Sequence, residues 1–253
     1  MNWAALDLTV LGPALLAGLL VTLTHVPLGK RVLERGIIFL DLAVAQIAGL
    51  GIVAAYSFNF EPGGWQVQLI AMSAAVLGVL LLFYTEKHWP EIQEALIGSL
   101  FVLASSGSVL LLASNPHGGE QLKELLVGQI LWVSYEQLIP VLILYSVILG
   151  IWYAVSRHAS SLQFYLLFAL TITVSAQLVG IYLVFATLIF PALAIRNISK
   201  FTLPYGYTIG GVGYLFGLFL AAIFDMPAGA MIVCCLAIMA LFASKLLPAR
   251  LKK

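Results

Sequence analysis

Apolar stretches about as long as a bilayer is thick recur from one end of the chain to the other. No other feature limits the fold as much. A membrane-crossing helix needs roughly 20 predominantly apolar residues. Such stretches lie near residues 8–28, 36–58, 66–85, 94–114, 137–156, 162–178, 180–195, 205–224 and 228–247. The sixth and seventh run almost together, with Gln177 and Gly180 marking the break between them. That region is either two short helices or one long tilted one. Only 9% of the residues are charged and 62% are hydrophobic, whereas about 25% of a soluble domain is charged. A water-exposed surface cannot be built from this chain. The expected fold is all-α and polytopic, with about nine transmembrane helices packed on one another in a single domain over residues 1–253.

The charges that remain set an orientation. Lys30, Arg31 and Arg35 follow the first stretch, Lys87 the third, Arg157 the fifth, Arg196 and Lys200 the seventh, and Arg250, Lys252 and Lys253 the ninth. Cytoplasmic loops carry the excess of Lys and Arg, so these loops are placed inside, the N-terminus outside and the C-terminus inside. An eight-span count breaks the alternation. The N-terminus reads as a retained helix and not a cleaved signal, because no Lys or Arg precedes the first stretch. The segment 118–137, "GGEQLKELLVGQILWVSYEQ", is too short and polar to span. It is expected at the outer surface, either as a re-entrant element shielded by protein or as a helix lying flat in the interface.

Several activities lack their signatures. The chain has no phosphate-binding G-x-x-x-x-G-K-[ST] loop, so any ATP-driven step needs a motor on another polypeptide. It has no H-E-x-x-H or G-x-S-x-G, which argues against an intramembrane hydrolase. A net charge of +1 gives no footing for a nucleic acid. His25, His88, His117 and His158 fall in loops and at span ends without metal-ligand spacing. Cys234 and Cys235 are adjacent in an apolar run and read as small packing residues. Gly210, Gly213 and Gly217, and the small residues Ala43, Ala45, Ala48, Gly49 and Gly51, read as sites of close helix approach.

Three segments in order resemble the permease subunits of metal-importing ABC transporters, the zinc/manganese family, whose fold is related to the vitamin B12 and siderophore importers. The first is "ERGIIFLDLAVAQIAGLG" (34–51), where the family has an Arg-rich turn and then a helix with a polar pair, often Gly-Asp-Ala-Leu-Ser-His. The second is "QEALIGSLFVLASSGSVLLLAS" (93–114) followed by "LKELLVGQILWVSYEQL" (122–138). The third is "VGIYLVFATLIFPALAIRNISKF" (179–201) followed by "FDMPAGAMIVCCLAIMAL" (224–241). If Gln46 takes the place of the family histidine, the family aspartate falls on Leu42 and Asp41 comes one residue early. Asp41 and Gln46 are then five apart and point roughly 140° apart on a regular helix. A two-ligand clamp from these side chains needs a distorted helix.

Asp41 is an ionisable residue inside a span and so a candidate station on a cation path. Its other reading is a pair with Arg31 or Arg35, or with a helix end. Gln46, deeper and uncharged, lines the path or joins helices. Glu94 opens the fourth stretch, where the helix dipole favours an acid in any case. Ser175 and Gln177 sit at the outer mouth or cap the break at Gly180. The resemblance implies that the segment Pro191, Ala192, Ile195, Arg196 and Lys200 carries a short coupling helix seated on the ATPase, with Pro191 in its first turn.

The resemblance also implies the function. The chain would be the inner-membrane subunit of an ATP-driven importer of zinc or manganese, working as a homodimer with a cytoplasmic ATPase and a periplasmic or lipid-anchored metal-binding protein. It would have no cofactor of its own, the metal being the cargo. The alternatives are uptake of an iron–siderophore or cobalamin, where the related family usually has ten spans, and an intramembrane enzyme.

Overall fold

The computed structural model describes residues 7–58, 60–61, 64–113, 118–155, 160–198 and 201–246. Ten α-helices occur among them: α1 Leu8–Arg35, α2 Leu40–Ser57, α3 Trp65–His88, α4 Gln93–Leu112, α5 Gly118–Val127, α6 Tyr135–Val155, α7 Ser161–Val179, α8 Ile181–Ile195, α9 Thr202–Phe224 and α10 Ala228–Leu246. Nine of these fall on the nine apolar stretches, and α5 falls on the amphipathic segment. Eight helices are long and apolar enough to cross a membrane. The exception is α8, whose 15 residues extend only about 22 Å against a hydrocarbon core of about 30 Å.

The break between the sixth and seventh stretches is real and sits on a glycine. Gly180 has φ +87°, a left-handed conformation that separates α7 from α8. Gly128, after α5, has φ +72°. A Cβ on either glycine would strike the backbone of the other segment. A Cβ on Gly229 would lie 2.8 Å from the carbonyl oxygen of Val127. The end of the amphipathic segment is therefore shielded by protein backbone, as irregular chain at membrane depth requires. Helix α5 itself keeps Glu120, Lys123 and Glu124 exposed.

The chain forms two compact units. One holds α1, residues Val127–Tyr145, and α8 to α10; the other holds α2 to α4, most of α5, the second half of α6, and α7 as far as Gln177. In the first unit α1 packs on α8 and α9, and α10 packs on α8 and α9. Small residues make these approaches close. A Cβ on Gly29 would overlap the Leu188 carbonyl oxygen, and one on Gly217 would come 2.5 Å from the Ile232 Cα. Gly210 meets Thr22, and Gly213 meets Leu236. The Tyr214 ring fills the space over Gly18, and its hydroxyl shares a 2.8 Å hydrogen bond with Thr187. In the second unit α2 lies against α3 and α4. Ala43, Ala45 and Ala48 are buried there, and a Cβ on Gly51 would sit 2.9 Å from the Ala74 Cβ.

Candidate functional site

The polar groups of the second unit gather at the N-terminal ends of α2 and α4. Gly36, at φ +71°, and a turn through Phe39 keep the chain out of helix until Leu40. Asp41 is thus in the first turn of α2, not a turn or more inside it. It is nevertheless buried, with 1% exposure, and its carboxylate faces the backbone N–H groups of Asp41 and Leu42 in its own turn without a well-formed hydrogen bond among the described residues. The Arg31 guanidinium lies 3.4 Å from Glu34 on its own helix.

Glu94 is in the first turn of α4. Its Oε1 accepts a 3.3 Å hydrogen bond from the Phe39 N–H, so its carboxylate closes the N-terminal end of α2 from a neighbouring helix. Its Oε2 is buried without a partner among the described residues. The residue before it, Gln93, went unnoticed in the sequence and holds this arrangement. Its amide nitrogen donates to the Leu82 carbonyl at 2.9 Å and to the Tyr165 hydroxyl at 3.5 Å. Its amide oxygen accepts from the Thr85 hydroxyl at 2.9 Å. These bonds tie the start of α4 to the end of α3 and to α7. Polarity next to an acid at a helix start was the available signal, but only packing reveals that Gln93 is 5% exposed.

The other expected residues are dispersed. Gln46 is buried at 3% exposure. Helix α2 runs unbroken from Leu40 to Ser57, so the distortion needed to bring Gln46 onto the Asp41 face is absent. Gln177, far along α7, accepts a 2.6 Å hydrogen bond from Gln68 of α3 and donates to the Thr173 carbonyl at 3.3 Å. Ser175 donates to the Thr171 carbonyl at 2.7 Å.

Two expectations are corrected. His25 is not at a span end. Helix α1 continues to Arg35 and leaves His25 inside it, fully buried. Its Nδ1 lies 2.9 Å from the Val21 carbonyl, while Nε2 has no described partner. His88 is at the exposed end of α3, and His117 and His158 lie outside the described residues. Pro191 does not open a separate helix but lies within α8. Pro191, Ala192 and Ile195 are all buried, and Arg196 and Asn197, just past the helix end, are exposed. Lys200 lies outside the described residues. Among the described residues, no three His, Cys, Asp or Glu side chains converge in a group fit to hold a metal.

A model of the ABC 3 transport family matches residues 7–162 and 153–246 of this chain. The manganese transport system membrane protein MntC of Halalkalibacterium halodurans is 27% identical over 250 residues, covering 90% of this chain and 84% of MntC. The high-affinity zinc uptake system membrane protein ZnuB of Haemophilus influenzae is 23% identical over 248 residues, covering 89% of this chain and 93% of ZnuB. Among solved structures, PsaBC from Streptococcus pneumoniae in complex with Fab shares the fold. The TM-score is 0.75 over 94% of this chain and 92% of that one, at 17% identity.

Proposed function

The chain belongs to the ABC 3 transport family, and on that premise we propose that it is the membrane-spanning permease subunit of an ATP-driven importer of a divalent metal ion, zinc or manganese. The observation that carries this is the family match along nearly the whole chain. The manganese and zinc uptake systems of the two relatives support the cargo class.

In this proposal two copies make one transporter in the cytoplasmic membrane. Each copy works as one permease domain and engages a separate ATPase, and a metal-binding protein delivers the ion from outside. The contact with the ATPase begins at Arg196, which is exposed where α8 ends. Pro191, Ala192 and Ile195 are buried behind it and transmit movement along α8 instead of touching the motor. ATP binding and hydrolysis then bias two packings of the helices, which is the differential interaction that any conformational pump requires. Asp41, Gln46, Glu94 and Gln177 are the candidate stations for the ion. A path needs sites weak enough to release the ion, and a pair of carboxylates with no histidine or thiolate suits that need.

The test is the metal content of cells lacking the chain, grown under metal limitation, with and without the wild-type gene restored. One divalent metal should fall in the deletion and recover on complementation. Unchanged content of every divalent metal, in a strain with no second importer, would reject the proposal.

A further inference from the structure

We propose that the left-handed glycines of the chain are the joints on which its two units turn during the transport cycle. This rests on the permease reading above and states where its two packings differ. The chain passes from one unit to the other four times, after Arg35, Leu126, Tyr145 and Gln177. Three of these crossings carry a glycine with positive φ. Gly36, at +71°, is the first residue past one of them. Gly128, at +72°, is the second residue past another, and Gly180, at +87°, is the third past a third. Among the described residues no other glycine has a positive φ. The left-handed residues that are not glycine, Phe201 and Asp225, both at φ 54°, lie at turns inside the first unit. A turn that keeps one left-handed pose is thus built here from ordinary residues. The crossings use the residue that can also leave that pose without a steric penalty.

The joints differ in form. A Cβ on Gly36 would meet nothing within 4 Å, so no neighbour demands a glycine there. The helical ladder is already interrupted between α1 and α2, and a change of φ and ψ at such a point is how a hinge works. Gly128 and Gly180 touch through their backbones, since a Cβ on Gly180 would strike the Gly128 nitrogen and one on Gly128 the Val179 carbonyl. Those two crossings are held at one point and turn about it together. The handover there is abrupt. Leu125 packs against the Ile52, Ala55, Val67 and Ala71 cluster of the second unit, and two residues later Val127 lies against Gly229 of the first. The fourth crossing is inside α6, five residues after Pro140, whose missing N–H leaves that helix one hydrogen bond short. Within the units, close contacts such as Gly29 on Leu188 and Gly51 on Ala74 lock helix against helix, so each unit moves as a body.

The test is the distance between pairs of spin labels in the permease–ATPase complex reconstituted in lipid. One copy of the chain is labelled, and Cys234 and Cys235 are replaced by alanine. The labels sit at four exposed positions, Val10→Cys and Leu241→Cys in the first unit, Lys87→Cys and Lys123→Cys in the second. Between the nucleotide-free and ATP-trapped states, the distances Val10 to Leu241 and Lys87 to Lys123 should hold within about 2 Å, while Val10 to Lys87 or Leu241 to Lys123 should change by more, as in hinge closure. Gly36→Ala should reduce that change and lower metal turnover several-fold, with both within-unit distances as in wild type, because a hinge acts on turnover from far away. Gly49→Ala, whose methyl also meets nothing within 4 Å but lies in regular helix, should alter neither. Crossing distances that stay fixed in a wild-type complex that imports manganese or zinc would overturn the joints, whether or not any variant folds. Within-unit distances that change as much as the crossing ones, or wild-type movement and turnover in Gly36→Ala, would overturn them too. Each of these results leaves the permease reading intact. Failure of the wild-type complex to import either metal would overturn both.

Discussion

Adding one methyl group at each of two helical glycines should have opposite effects on stability. Gly29 of α1 and Gly49 of α2 both lie inside regular helix, where Gly→Ala gains about 1 kcal/mol from propensity alone. At Gly49 a Cβ meets nothing within 4 Å, so that gain stands. At Gly29 the new methyl overlaps the Leu188 carbonyl oxygen and presses on Ala192 Cβ at 3.2 Å. A backbone carbonyl has no rotamer to escape into, so α1 must move off α8. Overpacking costs typically 1–3 kcal/mol, and taking the upper end leaves a net loss of about 2 kcal/mol at Gly29. For a chain of this size 1 kcal/mol shifts Tm by about 2–4 °C. Gly29→Ala should therefore lower the apparent Tm of the detergent-solubilised protein by about 4–8 °C, and Gly49→Ala should raise it by about 2–4 °C, at one fixed scan rate. Shifts of the same sign, or no change at Gly29, would refute the close packing of α1 on α8.

Replacing Gln93 by Leu removes three hydrogen bonds from a buried junction and should cost about 1–3 kcal/mol. A thermal melt should show the loss, and a Gln93→Leu chain as stable as wild type would disprove the pinning of α4. Arg196→Glu reverses an exposed charge just past α8, so it should leave the melt unchanged while the separate ATPase proposed above no longer co-purifies. Undiminished co-purification would move the contact elsewhere. Asp7 caps α1, accepting from the Thr9 hydroxyl at 2.7 Å and the Thr9 N–H at 2.8 Å, and these bonds hold its carboxyl below the ordinary range. A depressed folded-state value means that the cap is whole above the ordinary carboxylate pKa and is lost only as pH falls through the lower folded value. Slow hydrogen exchange at the Thr9 amide should persist into that acidic range in wild type and be absent in Asp7→Ala.

Some features of the site were legible in the chain and some were not. Asp41 stands out as an acid inside an apolar run, Glu94 as an acid at the start of one, and Gly180 as a break. That Glu94 reaches the end of α2 is a contact across 55 positions, and it depends on how α2 and α4 are rotated about their own axes. For the same reason His25 was expected at a span end and Gln93 was not singled out. A polar residue near the end of an apolar run looks like a surface residue until a neighbouring helix covers it. Pro191 resembled a helix start because proline favours the first turn, yet within a membrane helix the carbonyl it frees can be satisfied by neighbours.

What the chain determined by itself is the set of nine apolar helices and their order. Bilayer thickness and the need to satisfy every backbone group impose these locally, stretch by stretch. The two units, the glycine contacts that set the helix spacing within them, and the bond from the Phe39 N–H at the start of α2 to Glu94 of α4 were decided only by tertiary structure. Each depends on which face of a helix meets which neighbour. An almost uniformly apolar sequence does not mark that face, because lipid and protein interior select the same side chains.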